Sequence, residues 1–198
     1  MDYFKLLNGV TPANGGYGDW YAPEGKRPGK WMPAIPNPVP CERGYHVVTA
    51  DHLLDWAGTD LWRVEVRGEV IDDGDKHVVG QARLLSRVEG WTPTNVRLFA
   101  AVCAAEVLHL FESVRPGDDR PRKAVEVGAA GAAARDAARA AEAAARAARA
   151  AAGDAAWAAR AAGDAAWERQ QAHLRFMLDL PPTEVEAAYR QLIETSLA

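Results

Sequence analysis

Gly44-Tyr45-His46, entered through Cys41-Glu42-Arg43, is the sharpest local motif in the chain. An imidazole titrates near neutrality, so His46 with Tyr45 beside it suits a general base or an anion-binding site. The blander use of a histidine that enters a strand is to hydrogen-bond to backbone groups. Cys41 and His46, with Cys103 and His109, make four potential zinc ligands. Six helical residues turn through about 600°, however, so Cys103 and His109 leave a helix on different sides. A buried Cys103 and a structural Cys41 fit the pattern better. Asp72, Asp73 and Asp75 could hold a hard cation but span too few residues for a calcium loop, and read as a solvated turn. No serine stands in a recognisable nucleophile motif, and Gly15-Gly16-Tyr17-Gly18 lacks the strand and helix of a phosphate-binding loop. The sequence therefore offers no catalytic residue, no metal site and no cofactor signature.

Two tryptophans complete the candidates. Gly153-Asp154-Ala155-Ala156-Trp157 recurs as Gly163-Asp164-Ala165-Ala166-Trp167. Among alanines, Trp157 and Trp167 read first as packing anchors; left exposed, they would mark an interaction hot spot. Two copies fall short of the roughly three repeats that a solenoid needs. Arg135, Arg139, Glu142, Arg146 and Arg149 fall within about 40° of one line on a helix, a polar stripe that solvates an alanine cylinder. A net charge of −4 supplies no basic excess for a nucleic acid. No apolar run approaches the ~20 residues of a membrane span, and Met1-Asp2-Tyr3-Phe4-Lys5 is no secretion signal. Two cysteines are too few for a disulfide scaffold and suit a reducing cytosol, so a cytoplasmic protein is expected.

The elements that must position these residues divide by composition. Residues 1–90 hold most of the glycines and prolines, while alanine dominates residues 128–170. Such a shift predicts an α+β chain: a small antiparallel-sheet unit over 1–90, then an alanine-rich helical bundle over 91–198. Tyr3 to Leu7 is the first strand. Asn8 to Pro40 is a loop crowded with Gly and Pro, pinned by Trp20, Tyr21, Trp31 and Met32. Thr49 caps a short helix over Ala50 to Trp56. Trp62, Val64, Val66 and Val70 share one face of a strand whose other face carries Arg63, Glu65, Arg67 and Glu69. Asp72-Asp73-Gly74-Asp75 turns the chain into a return strand with Val78, Gly80, Ala82 and Leu84 on the matching face.

Thr92-Pro93 opens the helical part, with an apolar stripe at Val96, Phe99, Ala100, Cys103, Val107 and Leu110. A second helix begins near Asp119, with Pro121 in its first turn, and weakens around Gly128 and Gly131. The alanine segment breaks at Gly153 and continues through Gly163 to Leu180, where Pro181-Pro182 stops it. Thr183-x-x-Glu186 is a capping box for a last helix carrying Val185, Tyr189, Leu192 and Ile193. The short join Glu89-Gly90-Trp91-Thr92-Pro93 predicts one cooperative unit, with Trp91 buried between sheet and helix.

An ordered series of short motifs runs through nearly the whole chain. Trp20-Tyr21-Ala22-Pro23 and Pro28-Gly29-Lys30-Trp31 precede Pro40-Cys41-Glu42-Arg43-Gly44-Tyr45-His46 and Glu65-Val66-Arg67-Gly68-Glu69. Ala82-Arg83-Leu84-Leu85, Arg97 to Glu106, Asp119-Arg120-Pro121-Arg122 and Trp167-Glu168-Arg169-Gln170 follow. Together these resemble the alanine-rich helical immunity proteins of bacteria and phages, preceded by a small β-rich domain of unknown function with a Cys-x-x-Gly-Tyr-His motif. The resemblance implies neutralisation of a toxin by direct binding and brings no catalytic residues. Relatives often read Phe-Ala-Cys-Asp-Cys where this chain has Phe99-Ala100-Ala101-Val102-Cys103, so a role for two cysteines there does not carry over.

The expected function is thus a non-catalytic protein-binding factor, toxin-neutralising or phage-encoded and inhibitory, with a protein partner and neither nucleic acid nor membrane. Tyr45, His46, Trp157 and Trp167 are its candidate binding residues. A self-assembling scaffold or virion component is the alternative, since alanine-faced helices suit close homotypic packing in a homo-oligomer. An ADP-ribosyltransferase-like enzyme is a second alternative, from the faint likeness of Gly44-Tyr45-His46 and Trp62-Arg63-Val64-Glu65-Val66 to parts of that fold.

Overall fold

The computed structural model describes residues 1–16, 18–56, 58–130 and 164–198. The chain forms two compact units, Met1–Trp91 and Thr92–Ala198. The first is a five-stranded antiparallel sheet and the second is helical, an α+β architecture.

The sheet unit contains β1 (Tyr3–Asn8), β2 (Thr11–Pro12), β3 (Tyr45–Val47), β4 (Asp60–Asp72) and β5 (His77–Arg87), in the order β2-β1-β4-β5-β3. Alternation builds the β4–β5 hairpin: Val64 faces Leu84 and Val66 faces Ala82. Its turn holds Gly74 at φ +81°, with the Gly74 amide donating to Asp72 Oδ1 at 2.9 Å. The sheet curls until its far edge meets its start, where Phe4 and Val48 exchange backbone hydrogen bonds of 2.8 and 2.9 Å. Inside the curl lie Leu7, Trp20, Met32, Val47, Val64, Val79, Ala82 and Leu84.

The Gly/Pro-rich segment is more ordered than its composition suggests. Amides of Gly29, Met32 and Ile35 donate to the Leu84, Ala82 and Gly80 carbonyls at 2.8, 2.9 and 2.8 Å. Pro28, Pro33 and Pro36, which have no N–H, each stand next to one of these donors and not at a donor position. The chain thus lays an extra edge along β5 without needing every amide. Val70 departs from expectation and is 38% exposed. The register slips between Arg67 and Val70, and such a bulge rotates the residues beyond it off the buried face. The short helix after Thr49 is a 3-10 turn, Ala50–Asp55, without a side-chain cap from Thr49.

The helical unit has α1 (Pro93–Val114), α2 (Arg120–Ala130), α3 (Asp164–Asp179) and α4 (Pro182–Leu197). Thr92 caps α1 as the sequence predicts, accepting from the Asn95 amide at 3.0 Å. The apolar face of α1 lies elsewhere than predicted. Leu98, Phe99, Ala101, Val102, Ala105 and Leu108 are buried, while Ala100 and Leu110 are exposed. A helix apolar nearly all round gives periodicity no single face to find. Residues 93–113 are also long and apolar enough to cross a membrane by length and composition, at mean hydropathy 1.3, where the sequence is expected to hold no such run. Core helices share that composition.

α4 supplies Val185, Tyr189 and Ile193 to the core, but Leu192 is exposed. Its N-cap is Pro181, not Thr183, with no side-chain cap bond; Glu186 pairs instead with Arg190 at 2.8 Å. Buried Asn95 ties α1 to α4, its Nδ2 donating to the Pro182 carbonyl at 3.0 Å. Arg122 of α2 forks onto Glu112 at 2.8 and 3.1 Å and donates to the Leu197 carbonyl at 3.0 Å. The arginine stripe, the break at Gly153 and Trp157 lie outside the described residues.

Candidate functional site

Gly44, Tyr45 and His46 lead the chain into β3, where His46 faces Val78 and Tyr45 faces Val79. Gly44 is at φ +131°, and a Cβ there would sit 2.6 Å from a Val78 methyl and 3.1 Å from Pro38. Both the conformation and the crowding demand glycine. Tyr45 packs against the core, with its ring 5.5 Å from Trp20 and edge-on to it. Its hydroxyl donates to the Pro33 carbonyl at 2.8 Å, and burial pushes its pKa up. Tyr45 thus staples the proline-rich segment to the sheet, a structural use of a residue marked as a binding candidate.

His46 carries a chemical tension. Its Nε2 is buried and makes no hydrogen bond among the described residues. Nε2 therefore satisfies no backbone group. Burial first, then the positive charges of Lys5 and Lys76, hold its pKa below the ordinary value, against an opposing pull from Asp73 and Asp75. The neutral ring is favoured, and among the described residues no carboxylate hydrogen-bonds to Nε2 to make it a stronger base.

Lys5 and Trp20 belong to the same cluster, and the sequence reading missed both as chemistry. Lys5 Nζ donates to the His46 carbonyl at 2.9 Å and lies 5.5 Å from the Trp20 ring centroid. The available signal was period 2: Tyr3, Lys5 and Leu7 share one side of β1, and Tyr3 and Leu7 pack on the core. A lysine at an inward position of a short strand is the departure to notice. On a different part of the unit, the guanidinium groups of Arg67 and Arg83 lie over the Trp31 ring at 3.8 and 4.6 Å, and Arg83 also meets Glu65 at 2.7 Å. A shallow groove of about 320 Å³ runs beside Arg67, with Ile35, Pro36, Glu69 and Gln81 on its walls.

In the helical unit Trp167 stands on α3 and is 48% exposed. At 100° per residue it shares a line with Gln171, Leu174 and Leu178, all of them buried. The tryptophan thus extends the packing seam of α3 one turn past its last buried residue. It is not the enclosed anchor expected from its alanine surroundings. Further along α3, His173 Nε2 lies 2.9 Å from Glu106, and Tyr189 donates to the His173 carbonyl at 2.6 Å. Cys103 belongs to this interior, where burial pushes its thiol up to about 12 and keeps it an inert thiol.

No family model, curated protein or solved structure matches this chain. The site must be judged on its own chemistry. Among the described residues, no group of three or more His, Cys, Asp or Glu side chains is placed to hold a metal ion. Tyr45 and His46 are brought together with Lys5 and Trp20 in the sheet unit. Trp167 belongs to the helical unit, and Trp157 lies outside the described residues.

Proposed function

We propose that the protein is a non-catalytic protein-binding factor that engages its partner through α3, with Trp167 as the anchor. The observation that carries this reading is the half-exposed indole one helical turn from buried Gln171, on the same line as Leu174 and Leu178. A tryptophan side chain presents about 150–250 Å², so covering its exposed half removes roughly 100 Å² from water. At about 25 cal/mol per Å² that contributes ~2.5 kcal/mol, the size of an interface hot spot. The resemblance to immunity proteins favours a toxin as the partner class, neutralised by occlusion and not by chemistry.

The test is a photo-crosslinking amino acid placed at position 167 in the full chain and irradiated in the native host. A discrete crosslink to another protein, absent when the probe replaces Thr195, supports the reading. A crosslink only to a second copy of the chain favours the scaffold alternative. Failure of position 167 to crosslink above the Thr195 control refutes the proposal.

A further inference from the structure

The buried amine of Lys5 has no role in a binding surface on α3. Tyr3 and Leu7, its neighbours on the same side of β1, both pack on the sheet unit's core. Its Nζ has one acceptor, the His46 carbonyl at 2.9 Å, and the Trp20 ring at 5.5 Å. No carboxylate pairs with it among the described residues. Lys76, by contrast, is held by Asp73 and Asp75 at 2.8 and 3.1 Å, and Lys123 by Asp119 at 2.6 Å. An ammonium has three protons to place and no acceptor of its own. One carbonyl satisfies one proton, an arrangement that suits a neutral amine, which keeps a lone pair.

We propose that Lys5 is a covalent site for small aldehydes, which it condenses with to form an imine. In that step the nitrogen lone pair attacks the carbonyl carbon and the C–N bond forms. The two amine protons pass to the former carbonyl oxygen, which departs as water and leaves a C=N bond. No oxidant or second reactant is consumed. The surroundings favour the product, because an uncharged imine relieves the site of a cation that it solvates poorly. Small size follows from the packing: Lys5 stands between Tyr3 and Leu7, both packed on the core, with the Trp20 ring centroid 5.5 Å from its amine. An aldehyde expels only water, whereas an acyl donor must also fit a leaving group. Lys5 keeps part of its surface exposed, which gives a short aldehyde access.

Burial lowers the Lys5 pKa to about 8. At a pH of about 7.5 roughly a quarter of it is then the free amine, against about a thousandth of an ordinary lysine near 10.4. Even after allowing for the weaker nucleophilicity of a less basic amine and for shielding, a tenfold advantage should survive. The experiment is a short pulse of acetaldehyde on the full folded chain, quenched with sodium borohydride to trap the imine, with ethylation read lysine by lysine by peptide mass spectrometry. Lys5 should be ethylated at least about tenfold faster than Lys26 and Lys30, and its rate should level off above a pH of about 8. In guanidinium the advantage should vanish. Labelling of folded Lys5 no faster than of Lys26 and Lys30 overturns the proposal. So does a Lys5 rate that still climbs tenfold per pH unit to about 10, or an advantage that persists after unfolding.

Discussion

Replacing Lys5 by methionine should stabilise the protein near neutral pH and cease to do so in alkali. Lys5 titrates at about 8 when folded, against about 10.4 in an unfolded chain. Each unit corresponds to 1.36 kcal/mol, so burying the ammonium costs up to ~3 kcal/mol, less what its partly exposed surface recovers by solvation. The sign follows from proton counting. Between the two values the unfolded chain holds more protons, so this group makes stability rise with pH. Its penalty is fully present below a pH of about 8 and disappears as the pH approaches 10.4. Methionine is unbranched and one atom shorter, and it removes the charge, but it forfeits the hydrogen bond to the His46 carbonyl, worth about 1 kcal/mol. The net gain should be about 1–2 kcal/mol at a pH of about 6.5, turning to a loss of about 1 kcal/mol near 10.5. Urea denaturation of both proteins at the two pH values reads the difference directly, since the other titrating groups are common to both. A Lys5→Met protein that is less stable at a pH of about 6.5, or whose difference from the parent does not change with pH, refutes the reasoning.

Three further substitutions test the packing. Asn95→Ala leaves the Pro182 carbonyl without its 3.0 Å donor at a position only 1% exposed, and should cost about 2 kcal/mol in a denaturant melt. Thr92→Ala removes the cap that accepts from the Asn95 amide and should cost about 1 kcal/mol, whereas Thr92→Ser should cost little. Trp91 is 7% exposed and its indole N–H points to the Gly58 carbonyl, so Trp91→Ala should cost about 3–5 kcal/mol by the same measurement.

Where one local rule decides the outcome, the structure follows the sequence. The hairpin around Gly74 needs only alternation and a residue tolerant of positive φ, and Thr92-Pro93 needs only a hydroxyl before a proline. Where several faces compete, periodicity fails. α1 is apolar at Val96, Ala100, Val107 and Leu110 as well as at Leu98, Val102 and Ala105, and only its partners α2 and α4 decide which residues are covered. Val70 obeys the alternation on paper, but a bulge after Arg67 turns it outward. The proline-rich segment reads as loop because its hydrogen bonds to β5 come at every third residue, a spacing that strand rules do not seek. The candidate site shows the same division. Gly44-Tyr45-His46 is visible as a motif, yet Lys5 and Trp20 join it only once strand β1 and the loop are packed together. Trp167 is visible as a residue, while its exposure is a fact of the tertiary structure.

The affinity of a partner protein is the most direct measure of Trp167 as an anchor. With the protein that crosslinks at position 167, titration calorimetry on the parent chain and on Trp167→Ala should show at least about a 30-fold loss of affinity, equivalent to ~2 kcal/mol. By the same arithmetic the half of the indole already covered contributes ~2.5 kcal/mol to folding, so the comparison is made where a urea melt shows both chains folded. Equal affinity of the two chains for that partner would contradict the account.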